Sequence, residues 1–127
     1  ELVLIHTLRN GSRDKKPVSN LVAAESWRAL IGIMDSCITV YDMWTTRALG
    51  QATETKHCQL MCIHEPSFQL CAVNKKKRLL VYRWHGDNTT PLLLQYDHAL
   101  PDIPLCMACT ADTVVLGFKK MYVGMLG

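Results

Sequence analysis

A chain of 127 residues with 49% hydrophobic and 20% charged residues has the composition of a globular domain, not of a disordered segment. Its formal net charge of +3 permits an acidic partner but falls short of the basic footprint that nucleic-acid binding demands. No apolar run approaches the roughly 18 residues needed to span a bilayer, and the opening "ELVLIHTL" is too short and too polar-flanked for a secretory signal.

Read in chain order, the apolar runs are short, rich in β-branched and aromatic residues, and separated by turn residues. The first, over residues 2–8, starts without an initiating Met, so an upstream portion is expected. Strands follow over 18–24, 29–34, 37–41, 59–64, 68–73, 78–84, 92–96, 106–110, 113–118 and 121–125. Between them lie Gly11-Ser12, Asp35-Ser36, Glu65-Pro66-Ser67, Gly86-Asp87-Asn88 and Pro101-Asp102. No stretch sustains a helical period with caps, although residues 24–27 leave room for a short helical piece. The class is all-β.

A repeat runs through these strands. "ALIGIMDSCITVYD", "LCAVNKKKRLLVYRW" and "VVLGFKKMYVGML" share one plan: apolar strand, short polar turn, apolar strand. The turns at Asp35, Asn74 and Lys119 are spaced by about the length of a four-stranded propeller blade. Tyr41, Tyr82 and Tyr122 fall at similar intervals, but Tyr122 stands closer to its turn, so the turns are the better guide. The runs are nearly continuously apolar, as strands covered on both faces are. Gly32 and Gly117 then read as points of close blade packing. The architecture expected is a partial β-propeller, about three four-stranded blades of a ring of roughly seven.

Six cysteines (Cys37, Cys58, Cys62, Cys71, Cys106 and Cys109) sit mostly inside apolar runs and read as buried free thiols. The sequons at Asn10 and Asn88 read simply as turns. The candidate zinc ligands are "CMAC" and the group His57, Cys58, Cys62 and His64, because zinc needs soft ligands converging tetrahedrally. Along a strand Cys106 and Cys109 point to opposite faces, so no metal site is assigned. No nucleophile elbow, phosphate loop or zinc-protease motif is present, and the acids stand singly in turns. No catalytic residue and no cofactor are expected.

The basic stretch "NKKKR" reads first as a soluble hairpin tip. Lys75, Lys76, Lys77 and Arg78 share this role with Lys119 and Lys120, and equivalent tips of a propeller lie on one rim. Together they form a candidate surface for an acidic partner or an anionic membrane. Trp44, in a polar connection after a strand, is the tryptophan expected to be exposed and available to a partner.

Three segments in order also carry a resemblance. "KKPVSNLVAAESWRALIGIMDSCITVYDM" (residues 15–43), "FQLCAVNKKKRLLVYRW" (68–84) and "LPDIPLCMACTADTVVLGFKKMY" (100–122) together resemble the citron homology domain. The likeness is to the form at the amino terminus of tethering-complex subunits of the HOPS and CORVET type, and it spans about 110 of the 127 residues. It implies that residues 1–127 are part of a non-catalytic β-propeller about twice as long. It also implies partners of two kinds, Rab-type small GTPases and sister tethering subunits. The setting implied is cytoplasmic, peripheral on late endosomal, lysosomal or vacuolar membranes, and nucleic acid is not implicated. The alternative is the citron homology segment of a signalling kinase or Rho-family exchange factor.

Overall fold

The computed structural model describes residues 18–34, 37–52, 55–86, 91–119 and 122–126. The expected strand over residues 2–8, the "KKP" lead-in, the turns at Gly11-Ser12 and Asp35-Ser36, both sequons, Lys120 and Met121 lie outside these residues.

Eleven strands occur among the described residues, all paired antiparallel with their sequence neighbours within three sheets. The first sheet contains β1 (Val18–Ala24), β2 (Ala29–Met34), β3 (Cys37–Asp42) and β4 (Ala48–Ala52) in that order. The second contains β5 (Cys58–His64), β6 (Gln69–Asn74), β7 (Arg78–Trp84) and β8 (Leu92–Ala99). The third contains β9 (Cys106–Cys109), β10 (Val114–Gly117) and β11 (Tyr122–Leu126). Two four-stranded meanders and one of three strands form a partial β-propeller.

Registers confirm the repeat. Val22 pairs with Ile31 in the first sheet, and Cys62 with Cys71 in the second, a shift of forty residues on both strands. Between each such pair of strands a single 3-10 turn reverses the chain, over Glu25–Trp27 and Glu65–Ser67. Each turn closes on a left-handed residue, Arg28 (φ 54°) or Phe68 (φ 57°), whose N–H donates to the carbonyl of Glu25 or Glu65. Phe68 is therefore a cap and not the first residue of a strand. The tyrosines behave as their spacing warned: Tyr41 and Tyr82 sit opposite Leu30 and Leu70, while Tyr122 opens its strand opposite Gly117.

The core lies between sheets. Ile31, Ile33, Ile38 and Val40 of the first sheet pack with Met61, Leu70, Ala72, Leu80 and Tyr82 of the second. The opposite face of the second sheet presents Cys71, Val73, Leu79 and Val81 to Val114 and Leu116 of the third. Alternate residues of β6 and β7 thus serve different junctions, which is why their sequences are apolar without alternation. Trp27 stacks on Trp84 across the first junction, ring centroids 5.1 Å apart and planes 5° from parallel. Buried Thr55, on the link between these sheets, accepts from the Ile38 N–H at 2.9 Å and donates to the Ala52 carbonyl.

Two sequence expectations change. β4, "ALGQA", was not anticipated, because Ala, Gly and Gln carry little strand preference; pairing to β3 makes it a strand. Gly117 does not serve blade packing. Its missing side chain makes room for Cys106 directly opposite, since a Cβ there would stand 2.6 Å from the Cys106 Sγ.

Candidate functional site

Antiparallel connectivity sends the hairpin tips to two rims. The C-terminal ends of β2, β6 and β10 lie at one rim, whereas the β1–β2, β3–β4, β5–β6 and β9–β10 turns share the other.

The first rim is basic. Lys75, Lys76 and Lys77 are exposed on the β6–β7 tip, and Lys119 is exposed on the equivalent β10–β11 tip. Buried Asn74 shapes the first of these: its Oδ1 accepts from the N–H groups of Lys76 (3.0 Å) and Arg78 (3.2 Å). Lys77 closes the tip in the left-handed region at φ 60°. Arg78 is partly committed elsewhere, since its Nε lies 2.7 Å from the Asp97 carboxylate on β8. The sequence reading missed two neighbours, Lys56 and His57, both exposed. They precede β5, whose first residue pairs with Asn74, and the His57 carbonyl accepts from the Lys75 N–H at 3.1 Å. Strand direction alone would have placed them on this rim. Exposed Asp102 follows β8 at the same end, where the Leu100 N–H donates to the Lys77 carbonyl at 2.7 Å.

Trp44 is exposed at 71%, as its polar setting indicated, but on the opposite rim. The Asp42 carboxylate caps its turn, accepting from the N–H groups of Trp44 and Thr45 at 2.9 Å each. The Thr45 and Trp44 N–H groups hold the Asp42 carboxyl below its ordinary pKa. Trp44 and the lysine tips therefore do not form one patch. On the tryptophan rim, Glu65 joins the first two sheets: its carboxylate accepts from the Ser26 N–H and hydroxyl at 3.1 and 2.8 Å. The Glu65 carbonyl accepts from the Trp27 indole at 3.3 Å.

The cysteines are free thiols. Cys106 is exposed, while Cys109, three residues on, faces the second sheet, so "CMAC" does not act as a chelating pair. Instead Cys109 meets Cys62 and Cys71, and the three sulfurs lie within 4.8 Å of one another. Thiol contacts from Cys62 and Cys71 push Cys109 well below its ordinary pKa. Contact with Cys109 in turn pushes the Cys62 and Cys71 thiols up. The His98 ring stacks on Tyr96 at 5.9 Å, beside a cleft of about 370 Å³ reaching Gln69 and Asp112. Among the described residues no helix is long and apolar enough to cross a membrane.

No protein-family model matches the chain. It is similar to the Vam6/Vps39-like protein of Homo sapiens, 24% identical over 124 residues, covering 91% of this chain. The Vam6/Vps39-like protein of Mus musculus is 23% identical over the same length. The chain spans about 14% of the length of these curated relatives. A relation to Vam6/Vps39-like proteins is supported at this level of identity.

Proposed function

We propose that residues 1–127 belong to a citron-homology-type propeller and serve a membrane-tethering subunit as a non-catalytic interaction module in vesicle trafficking. The observation that carries this reading is the similarity to Vam6/Vps39-like proteins, which extends over nearly the whole arc of sheets. The partners proposed are a Rab-type small GTPase and sister subunits of a HOPS- or CORVET-like complex. They hold the protein peripherally, from the cytoplasm, on late endosomal, lysosomal or vacuolar membranes.

The binding surface proposed is the basic rim of Lys75, Lys76, Lys77 and Lys119, widened by Lys56; Lys120, next in sequence to Lys119, is proposed with them. Arg78 helps less, because Asp97 already compensates its charge. Rim charges act chiefly by steering encounter and choosing partners, so this rim would select a GTPase through an acidic face. Trp44 is a separate contact point on the other rim.

The test is binding of the chain to a panel of Rab and Rho-family GTPases, each loaded with GDP or a non-hydrolysable GTP analogue. Selective capture of a GTP-loaded late-endosomal Rab is the expected result. Capture of a Rho-family member instead would favour a signalling role, and nucleotide-independent binding to every GTPase would count against both.

A further inference from the structure

The second sheet junction contains a cluster that packing alone does not require. By register, the positions of Cys62, Cys71 and Cys109 correspond to Val22, Ile31 and Ile63 at the first junction. There, branched aliphatic side chains fill the space, and Ile31 is fully buried. At the second junction the same three places are all thiols, drawn from β5, β6 and β9.

We propose that Cys62, Cys71 and Cys109 form a zinc-binding trithiolate that staples the second sheet to the third, with the fourth coordination position facing His64. Tetrahedral zinc with Zn–S bonds of about 2.3 Å sets its sulfurs about 3.8 Å apart. Sulfurs already within 4.8 Å reach that spacing by small side-chain adjustments. Soft thiolates suit zinc over hard cations.

The surroundings fit. Gln69 Nε2 lies 3.6 Å from the Cys71 sulfur, placed to donate to a thiolate, and also donates to the Thr110 carbonyl beside Cys109 at 3.3 Å. His64 follows Cys62 by two residues on the same face of β5. Its Nδ1 is engaged with the Ser67 hydroxyl at 2.8 Å, which leaves Nε2 as the ligating nitrogen. Such an outer partner is usual for a metal-bound histidine. His64 stands outside the tight sulfur group, so its ring must swing inward to complete the tetrahedron. Cys62 and Cys109 are only half-buried, which gives the ion a way in. Binding replaces thiol protons with the ion and releases them to the buffer. The site is independent of the trafficking role and would stand or fall without it.

The experiment titrates the reduced 127-residue chain with Co(II) as a spectroscopic probe and then displaces it with Zn(II). One equivalent of cobalt should give thiolate charge-transfer and tetrahedral ligand-field bands, bleached by one equivalent of zinc. Cys109→Ser should abolish the bands, while Cys106→Ser, across the C-x-x-C spacing, should keep them. His64→Ala or Gln69→Ala should weaken affinity by about 10- to 100-fold. Far-ultraviolet circular dichroism shows whether Cys109→Ser still folds; Cys62→Ser, also half-buried, provides a second variant. Absence of charge-transfer bands at one equivalent, their survival in folded Cys109→Ser, or their loss in Cys106→Ser would each overturn the proposal.

Discussion

The two sheet junctions have the same geometry and different chemistry. The first is closed by Ile31, Ile33, Ile38 and Val40, by the Trp27–Trp84 stack, and by Glu65 bonded to Ser26. The second meets a sheet whose facing strands β9 and β10 are only four residues long. Three thiols occupy the places of Val and Ile there, and the Gln69–Thr110 hydrogen bond crosses the gap. Neighbouring sheets of a propeller need a well-filled interface, but register fixes only where side chains go. What fills the interface can change from one junction to the next.

Substitutions can break or sharpen this contrast. The largest effect is expected for Trp27→Ala, which removes a buried ring and its stacking on Trp84 at the first junction and should cost about 3–5 kcal/mol in denaturant unfolding. Ile31→Ala should follow at about 3 kcal/mol. The register-equivalent Cys71→Ala should cost only ~1 kcal/mol without metal, because far less apolar surface is lost. With saturating zinc the order should reverse, since only the wild-type site is stabilised by the ion. Equal costs at Ile31 and Cys71, with and without zinc, would erase the distinction between the junctions.

Alkaline pH gives a further test. Burial pushes the Cys58 thiol, in the core of the first junction, up to about 11 from an ordinary value of 9.0. A raised folded-state value contributes stability below pH 9, and this is lost as the unfolded thiol ionises and pH rises toward 11. Unfolding free energies measured across that window should fall, by ~2 kcal/mol at its upper end, and Cys58→Val should flatten the decline. The smallest effects belong to the clasps. Glu65→Ala removes the acceptor for two Ser26 donors and should cost about 1 kcal/mol in the same unfolding assay. Lys77→Gly, at a left-handed position, should be neutral or slightly stabilising.

Much of this was legible in the sequence because strands covered on both faces are written as unbroken apolar runs. "LCAV" and "LLVY" gave β6 and β7, and the equivalent turns gave the repeat. β4 was not legible: Ala, Gly and Gln become a strand only through pairing with β3. The separate locations of Trp44 and the lysine tips required strand directions, as did the place of Lys56 beside them. The thiol cluster was hidden for another reason. Its members come from three strands in two sheets, while the eye-catching C-x-x-C spacing contributes one member and turns the other outward. The direct pairing of Cys62 with Cys71 appears only once β5 and β6 are set in register.

GTPase binding is proposed for the basic rim and not for the tryptophan rim, and calorimetric titration of the captured GTP-loaded GTPase against rim variants tests this most directly. The triple reversal Lys75→Glu, Lys76→Glu, Lys77→Glu should weaken binding about tenfold or more and flatten its salt dependence. Trp44→Ala, on the opposite rim, should leave affinity within about twofold of wild type. Unchanged binding by the triple variant, with loss on Trp44→Ala, would contradict the assignment and move the interface to the tryptophan rim.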